Sequence, residues 1–440
     1  MQKEERAMLD ALGIASVEEL FRDIPEEVRT SGLSLPAGLS EAETVARVKK
    51  LLGASKSAER MPTFLGAGIY DHFVPASVRA ITSRSEFYTS YTPYQAELSQ
   101  GVLQTLFEYQ SLICELTGMD AANTSMYDWS TALGEAALMA HRVHGGNEFI
   151  VPRSVSRERL SVLRSYCSGI GLKIKQVEFD SVTGQIDVQM LRDSVGSETC
   201  GVYIENPNFF GVFEEAVDEV RSATPSVLVV GASPLALAIT RPPGDYGADV
   251  VIGEGQSLGI PPSFGGPLLG VFACKKEHMR KMPGRVIGMT KDSGGNRAFC
   301  LTLQTREQHI RRQHAMSNIC TNETLVSIAS ATYVALLGGN GLRRLARENL
   351  IAARDLARRI NHLRRFKAPM FKGMHFNEFT VRSKIPYSRV HRELLKRGIH
   401  GGLSLEDRFP ELGHVALFAT TDVHTESDRN RLIKGLVAVE

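Results

Sequence analysis

The chain is poor in cysteine and carries no excess of charge of either sign. Its six cysteines, Cys114, Cys167, Cys200, Cys274, Cys300 and Cys320, form no C-x-x-C pair. That scatter fits neither a zinc knuckle nor a disulfide-dense secreted scaffold, and reduced, mostly buried thiols are expected. Lys plus Arg number 51 against 49 Asp plus Glu, a formal charge of +2, so the electrostatic footprint of a nucleic-acid partner is missing. No run approaches the roughly 18 uninterrupted apolar residues of a membrane span. The opening MQKEERAMLDALG has no apolar h-region and is not rich in Arg and Ser, which argues against a secretory signal or a transit peptide. A cytoplasmic location is the default expectation. Neither an internal repeat nor a long heptad run is present, which excludes a solenoid and a coiled coil.

What remains is an ordinary globular composition, 43% hydrophobic and 23% charged over 440 residues, enough for two or three domains at about 150 residues each. Residues 1–62 read as a helical arm. Ser16-Val17-Glu18-Glu19 and Ser40-Glu41-Ala42-Glu43 both match the capping box, in which side chain and backbone satisfy each other's orphan donors. Pro25, Pro36 and Gly38 punctuate the arm, which is too small for a core of its own.

From Glu97 to Thr117, Leu98, Val102, Leu106, Tyr109, Ile113 and Leu116 recur at helical spacing, and Gly118 suits the C-terminal cap. Short apolar runs then alternate with helical segments: Phe149-Ile150-Val151, Val202-Tyr203-Ile204, Val227 to Val230, Val250-Val251-Ile252 and Leu268 to Phe272. Such alternation implies an α/β domain over residues 63–335 with a mostly parallel sheet covered on both faces. Leu337-Gly338-Gly339-Asn340-Gly341 breaks the pattern. A helix of about Leu342 to Leu363 and strands near Phe379-Thr380-Val381 and Val415 to Phe418 then predict a smaller α+β domain over residues 336–440.

Four segments carry groups suited to chemistry. Trp129-Ser130-Thr131-Ala132 opens a helix, with Ser130 or Thr131 as N-cap. Free N–H groups there suit an anion, although capping alone accounts for the residues. Tyr88 to Gln95 holds three tyrosines, Tyr88, Tyr91 and Tyr94, whose rings offer apolar walls with polar tips. Gln256 to Pro267 comes just after a strand, where a parallel sheet presents ligand-facing loops. Leu303 to His314 mixes two histidines with three arginines, has neither H-E-x-x-H nor Glu-x-x-His spacing, and reads as a solvated or interfacial helix without metal.

Taken in order, Tyr91-Thr92-Pro93-Tyr94-Gln95, Arg241 to Asp249, Phe264-Gly265-Gly266-Pro267, Met282-Pro283-Gly284-Arg285, Gln304 to Arg312 and Ser317-Asn318-Ile319-Cys320-Thr321 resemble the P-protein of the glycine cleavage system, a decarboxylating glycine dehydrogenase. The likeness is narrower still to the N-terminal half of that enzyme made as a separate subunit. It implies the aspartate-aminotransferase-like fold, fold type I of the pyridoxal-phosphate enzymes. That chemistry needs a Schiff-base lysine and a carboxylate against the pyridine nitrogen. Val227 to Leu237 contains no acid, and counting back from Gly265-Gly266-Pro267 places Gln256 where the cofactor-bearing half has its lysine.

The resemblance therefore implies a chain that holds no pyridoxal phosphate covalently. The cofactor would sit on a second subunit (beta) in an α2β2 assembly, which decarboxylates glycine and passes the aminomethyl group to the lipoyl arm of H-protein, with the T and L proteins as indirect partners. No catalytic residue of its own is expected. Tyr91, Thr92, Tyr94, Gln95, Ser130, Thr131, Gly265, Gly266, Ser317, Asn318 and Thr321 are the candidates for lining the shared site. An autonomous pyridoxal-phosphate enzyme and a pure scaffold are the alternatives.

Overall fold

The computed structural model describes every residue except Met1, Ser31, Glu59, Cys320 and Glu440. Cys320, one of the expected thiols, thus lies outside the described residues. Cys167, Cys200 and Cys274 are buried, Cys114 and Cys300 half-buried, and all five are free. The chain forms two units, Met1–Ser57 and Ala58–Glu440.

The first unit holds helices Gln2–Leu12 and Glu41–Leu52 and 3-10 turns at Val17–Phe21 and Glu26–Val28. Ser40 and Glu43 close the expected capping box. At Ser16 no such box forms. The winding there is 3-10, so the Glu19 N–H already donates to the Ser16 carbonyl, and the Glu19 carboxylate turns to the Ala15 N–H at 2.8 Å.

In the second unit, β1 (Ala121–Ala122), β2 (Glu148–Pro152), β3 (Lys173–Val177), β4 (Thr199–Asn206), β5 (Val227–Ala232), β6 (Val250–Glu254) and β7 (Gly270–Cys274) form one sheet. Its order is β1-β7-β6-β5-β4-β2-β3. Strands β2 to β6 pair parallel, and β7 and β1 close one edge antiparallel. Successive side chains of a strand point to opposite faces, and here both faces are buried. Val202, Ile204, Leu228 and Val230 pack with Tyr109 and Ile113 of helix Gln100–Thr117. Phe149, Val151, Tyr203 and Val229 pack with Ala132, Leu133, Ala136 and Ala140 of helix Trp129–His144. The run read from Leu268 enters the sheet only at Gly270, because the Leu269 N–H turns to the Glu254 carboxylate at 2.8 Å.

A hairpin that the apolar pattern did not announce, β8 (Val286–Lys291) and β9 (Arg297–Thr302), packs through Ile287, Phe299 and Leu301 on Val102, Leu103 and Leu106. The expected break falls at Gly338. Its φ of 59° and ψ of 178° interrupt the helical run Thr324–Asn361, a conformation that costs an L side chain dearly. That run is long and apolar enough by composition to cross a membrane, yet its first half packs Ile328, Ala329, Tyr333 and Val334 into the core beside the large sheet. Beyond it, β10 (Phe366–Lys367), β11 (Glu378–Ser383), β12 (Leu403–Ser404) and β13 (Val415–Ala419) form an antiparallel sheet in the order β10-β11-β13-β12. Phe64, far earlier in the chain, packs into this C-terminal core with Phe379 and Phe418. The segment around it thereby crosses from one sheet to the other.

Candidate functional site

Ligands of an open parallel sheet gather at the C-terminal ends of its strands. Here those ends carry Glu205 on β4, Gly231 and Ala232 on β5, and Glu254 on β6, with Gln256 just beyond. The polar side chains among them are already engaged by the protein. The Gln256 side chain is fully buried. Its Nε2 donates to the Tyr70 carbonyl at 2.7 Å and the Ile260 carbonyl at 2.6 Å, and its Oε1 accepts from the Tyr70 N–H at 2.9 Å. Tyr70 donates its hydroxyl to Glu378 of β11 at 2.7 Å, and the Ala67 N–H reaches the same carboxyl at 2.5 Å. Burial pushes Glu378 up to about 7 against those two donors.

Beside this bridge lies a second buried network. Arg159 places Nη1 2.8 Å from both oxygens of Glu205 and its guanidinium 3.8 Å from the Trp129 ring centroid. Tyr203 donates to Glu205 at 2.9 Å and accepts from the Trp129 indole N–H at 3.0 Å. A Cβ on Gly231 would stand 2.3 Å from the Tyr203 oxygen and 2.8 Å from the Trp129 ring, so this floor accepts no side chain in its place. Buried polar groups on this scale hold only when nearly all are satisfied, and these are.

The start of helix Trp129–His144 corrects the expected cap. The N-cap is Asp128, whose carboxylate accepts from the Thr131 N–H at 2.7 Å, and Ser130 lies inside the first turn. The Trp129 N–H donates to Glu254 at 3.2 Å. Burial pushes the Glu254 carboxyl up to about 8, opposed by the N–H groups of Leu269, Trp129 and Gln256, which favour its charged form. Two carboxyl groups thus take the positive end of the helix, which leaves it poorly suited to an added anion.

The stretch read as a helix around Leu303 to His314 is instead three short turns, Gln304–Arg306, Gln308–Arg311 and Arg312–His314. Leu303 and Arg312 stand at φ of 54° and 52°, and no helix runs through two such residues. This strap and the tyrosine loop bring some expected residues together. Tyr91 and Thr321 share a hydrogen bond of 2.8 Å. Tyr94 stacks edge-on to His309 at 5.6 Å between centroids and accepts from Arg285 at 3.3 Å. Ser317 donates to the buried Glu135 at 2.6 Å, whose carboxyl burial raises.

Others stand apart. Gly265 and Gly266 lie in an open loop beside the fully exposed Phe264, while Thr92 is half-buried and Gln95 and Asn318 are exposed or partly so. Trp129, Arg159, Tyr203, Glu205, Tyr70, Glu254, Glu378, Arg285 and Glu307 were not singled out for these roles. One signal was legible for two of them: Glu205 and Glu254 end apolar strands, where an acid needs a partner.

A sequence model described as "Glycine cleavage system P-protein" matches residues 1–436. The probable glycine dehydrogenase (decarboxylating) subunit 1 of Pyrococcus horikoshii is 48% identical, covering 98% of this chain and 97% of the relative. The protein of the same description from Thermotoga maritima is 44% identical, covering 98% and 97%. Among solved structures, an inhibitor-bound glycine decarboxylase (P-protein) of the glycine cleavage system superposes with a TM-score of 0.92 at 39% identity, covering 100% of this chain and 99% of that one. A Lactobacillus brevis glutamate decarboxylase gives 0.69 at 13% identity, a likeness of fold alone.

Proposed function

Because this chain belongs to the glycine cleavage system P-protein family, we propose that it is subunit 1 of a two-subunit glycine decarboxylase and holds no cofactor of its own. The observation that carries this reading is Gln256. An amide nitrogen forms no imine, and the side chain stands fully buried with three hydrogen bonds to backbone. The surroundings agree with it. Pyridoxal phosphate would need an anion site, an acid against its ring nitrogen and room for the ring. This chain offers a helix start held by Asp128 and Glu254, a β5 strand of Val, Leu, Gly and Ala, and a floor filled by Trp129 and Arg159. The group does not fit these residues.

In this reading the pyridoxal phosphate resides on subunit 2, the pair assembles as α2β2, and the holoenzyme releases CO2 from glycine and passes the aminomethyl group to the lipoyl arm of H-protein in the cytoplasm. The retained fold supplies one wall of the shared site. Tyr91, Tyr94, Ser317 and Thr321 are assigned to that wall, since Tyr91 pairs with Thr321, Tyr94 packs on His309 of the strap, and Ser317 holds the buried Glu135. Thr92, Gln95, Asn318, Gly265 and Gly266 are its outer candidates.

The test is glycine-carboxyl CO2 exchange, with lipoylated H-protein, by this chain alone, by subunit 2 alone and by the mixture. Activity confined to the mixture is expected. Exchange by this chain alone would end the reading.

A further inference from the structure

Under the tyrosine loop sits a group of charges that the fold does not require. Arg285 and Glu307 have side chains only 7% and 12% exposed, yet their nearest approach, Nε to Oε2, is 3.6 Å. That is an ion pair without a hydrogen bond. Among the described residues, Arg285 Nε and Glu307 Oε1 are buried and find no hydrogen-bond partner. A desolvated pair left this incomplete costs stability, so its retention calls for a return elsewhere.

Beside the Glu307 carboxylate stands an imidazole. His309, with a side chain 41% exposed, holds Nδ1 3.7 Å from Glu307 Oε2 and its ring edge-on to Tyr94. The charged and titratable groups around the imidazole are therefore Glu307 from its own turn, Tyr94 from the facing loop, and Arg285 behind the carboxylate. Arg311, on the same turn, points its Nε back to the Thr305 carbonyl at 3.0 Å. At 3.7 Å the carboxylate is beyond hydrogen-bond reach, so it acts on the imidazole by charge, while the edge-on packing against Tyr94 sets the ring plane. Around it the turn is open and mostly polar, with Gln308, Arg311, Arg312 and His314 exposed beside the exposed Ile310.

Resting on the reading above, we propose that His309, packed on Tyr94 and standing beside Glu307, is the proton-carrying residue that this chain lends to the reaction held by its partner subunit. Decarboxylation of an amino acid breaks the bond between the carboxyl and α carbons. CO2 leaves, the freed electron pair forms a carbon–sulfur bond to one sulfur of the lipoyl disulfide, the S–S bond breaks, and the other sulfur departs as a thiolate that takes up one proton per turnover. Among the described residues at the strand ends, Glu205, Glu254 and Gln256 are buried and engaged, as is Glu378 of the second sheet, so none of these four stands open to give it. His309 is open and oriented, and imidazole is the side chain suited to reversible proton transfer in neutral water.

The test uses the reconstituted complex of this chain with subunit 2, under conditions where the wild-type mixture exchanges CO2. An inactive wild-type mixture would refute the functional reading, whereas the inference about His309 is judged on an active one. His309→Gln should leave assembly and the partner's cofactor absorbance unchanged and lower kcat by about 100-fold or more, with a smaller change in KM. The histidine limb should vanish from the pH profile, and added imidazole should restore part of the turnover of His309→Ala. Glu307→Gln should lose less than His309→Gln. Unchanged kcat in His309→Gln would overturn the proposal. So would failure of both histidine variants to assemble, or a loss that is independent of pH and indifferent to imidazole, since each marks a structural role.

Discussion

Substituting Gln256→Lys restores the one functional group whose absence defines this chain, and the buried contacts of the glutamine set the cost. A lysine can still donate to the Tyr70 and Ile260 carbonyls that Gln256 now serves, but it strands the Tyr70 N–H that the amide oxygen accepts at 2.9 Å. One stranded donor costs about 1–3 kcal/mol. The ammonium adds a buried charge with no carboxylate bonded to it, a penalty of several kcal/mol even after relaxation unless it gives up its proton. The variant should therefore unfold at clearly lower urea, by about 4 kcal/mol or more in sum. It should also fail to capture pyridoxal phosphate, because Trp129 and Arg159 still fill the floor and Asp128 and Glu254 still hold the helix start. The assay is urea unfolding of the isolated chain, then borohydride treatment with added pyridoxal phosphate and mass analysis of the peptide bearing residue 256. A variant as stable as the parent that carries a reduced adduct on the introduced lysine would refute the reasoning, and the glutamine alone would then account for the absence of cofactor.

The buried networks give two more outcomes. Arg159→Met leaves Glu205 buried without its cation and should cost about 3–5 kcal/mol in urea unfolding, whereas adding Glu205→Met should recover part of that loss; a double variant no better than the single would show that the loss comes from Trp129 packing. Burial holds Glu378 at about 7 against its ordinary 4.5, so its protonated form is favoured on folding. That contribution is fully present below about 4.5 and is lost as pH rises through about 7, amounting to about 3 kcal/mol. The stability of the parent relative to Glu378→Gln should fall by that amount between about pH 4 and pH 8, and a difference independent of pH would show the carboxyl to be ionised throughout.

The elements were legible where one local rule governs them. The apolar face from Val102 to Ile113 with Gly118 behind it, the strands at Val202 and Val227, and the break at Gly338 all come from side-chain periodicity and glycine's freedom. The Ser40 box formed because an α turn succeeds it, and the Ser16 box did not because a 3-10 turn does. Ser130 and Thr131 have the chemistry of caps, but Asp128 precedes them and an aspartate accepts at that position as well as a hydroxyl. The hairpin at Val286 and Arg297 offers only short apolar runs, Val286-Ile287 and Ala298 to Leu301, and the signal for it is the Asp292-Ser293-Gly294-Gly295-Asn296 turn.

The sequence by itself determined that this chain forms no imine through residue 256, for an amide is not a nucleophilic amine wherever it sits. It also set the α/β alternation and, through ordered motifs, the family. Only the tertiary structure decided what occupies the abandoned floor. Tyr203 and Glu205 share one face of β4 by their i, i+2 spacing, but Trp129 and Arg159 come from other elements, and nothing in the spacing predicts that they meet this pair. The same holds for Tyr94 and Arg285, which come from elsewhere in the chain to the Glu307–His309 turn. A charge becomes expensive, and therefore informative, only when its burial and its missing partner are known, and both are properties of contacts between segments distant in the chain.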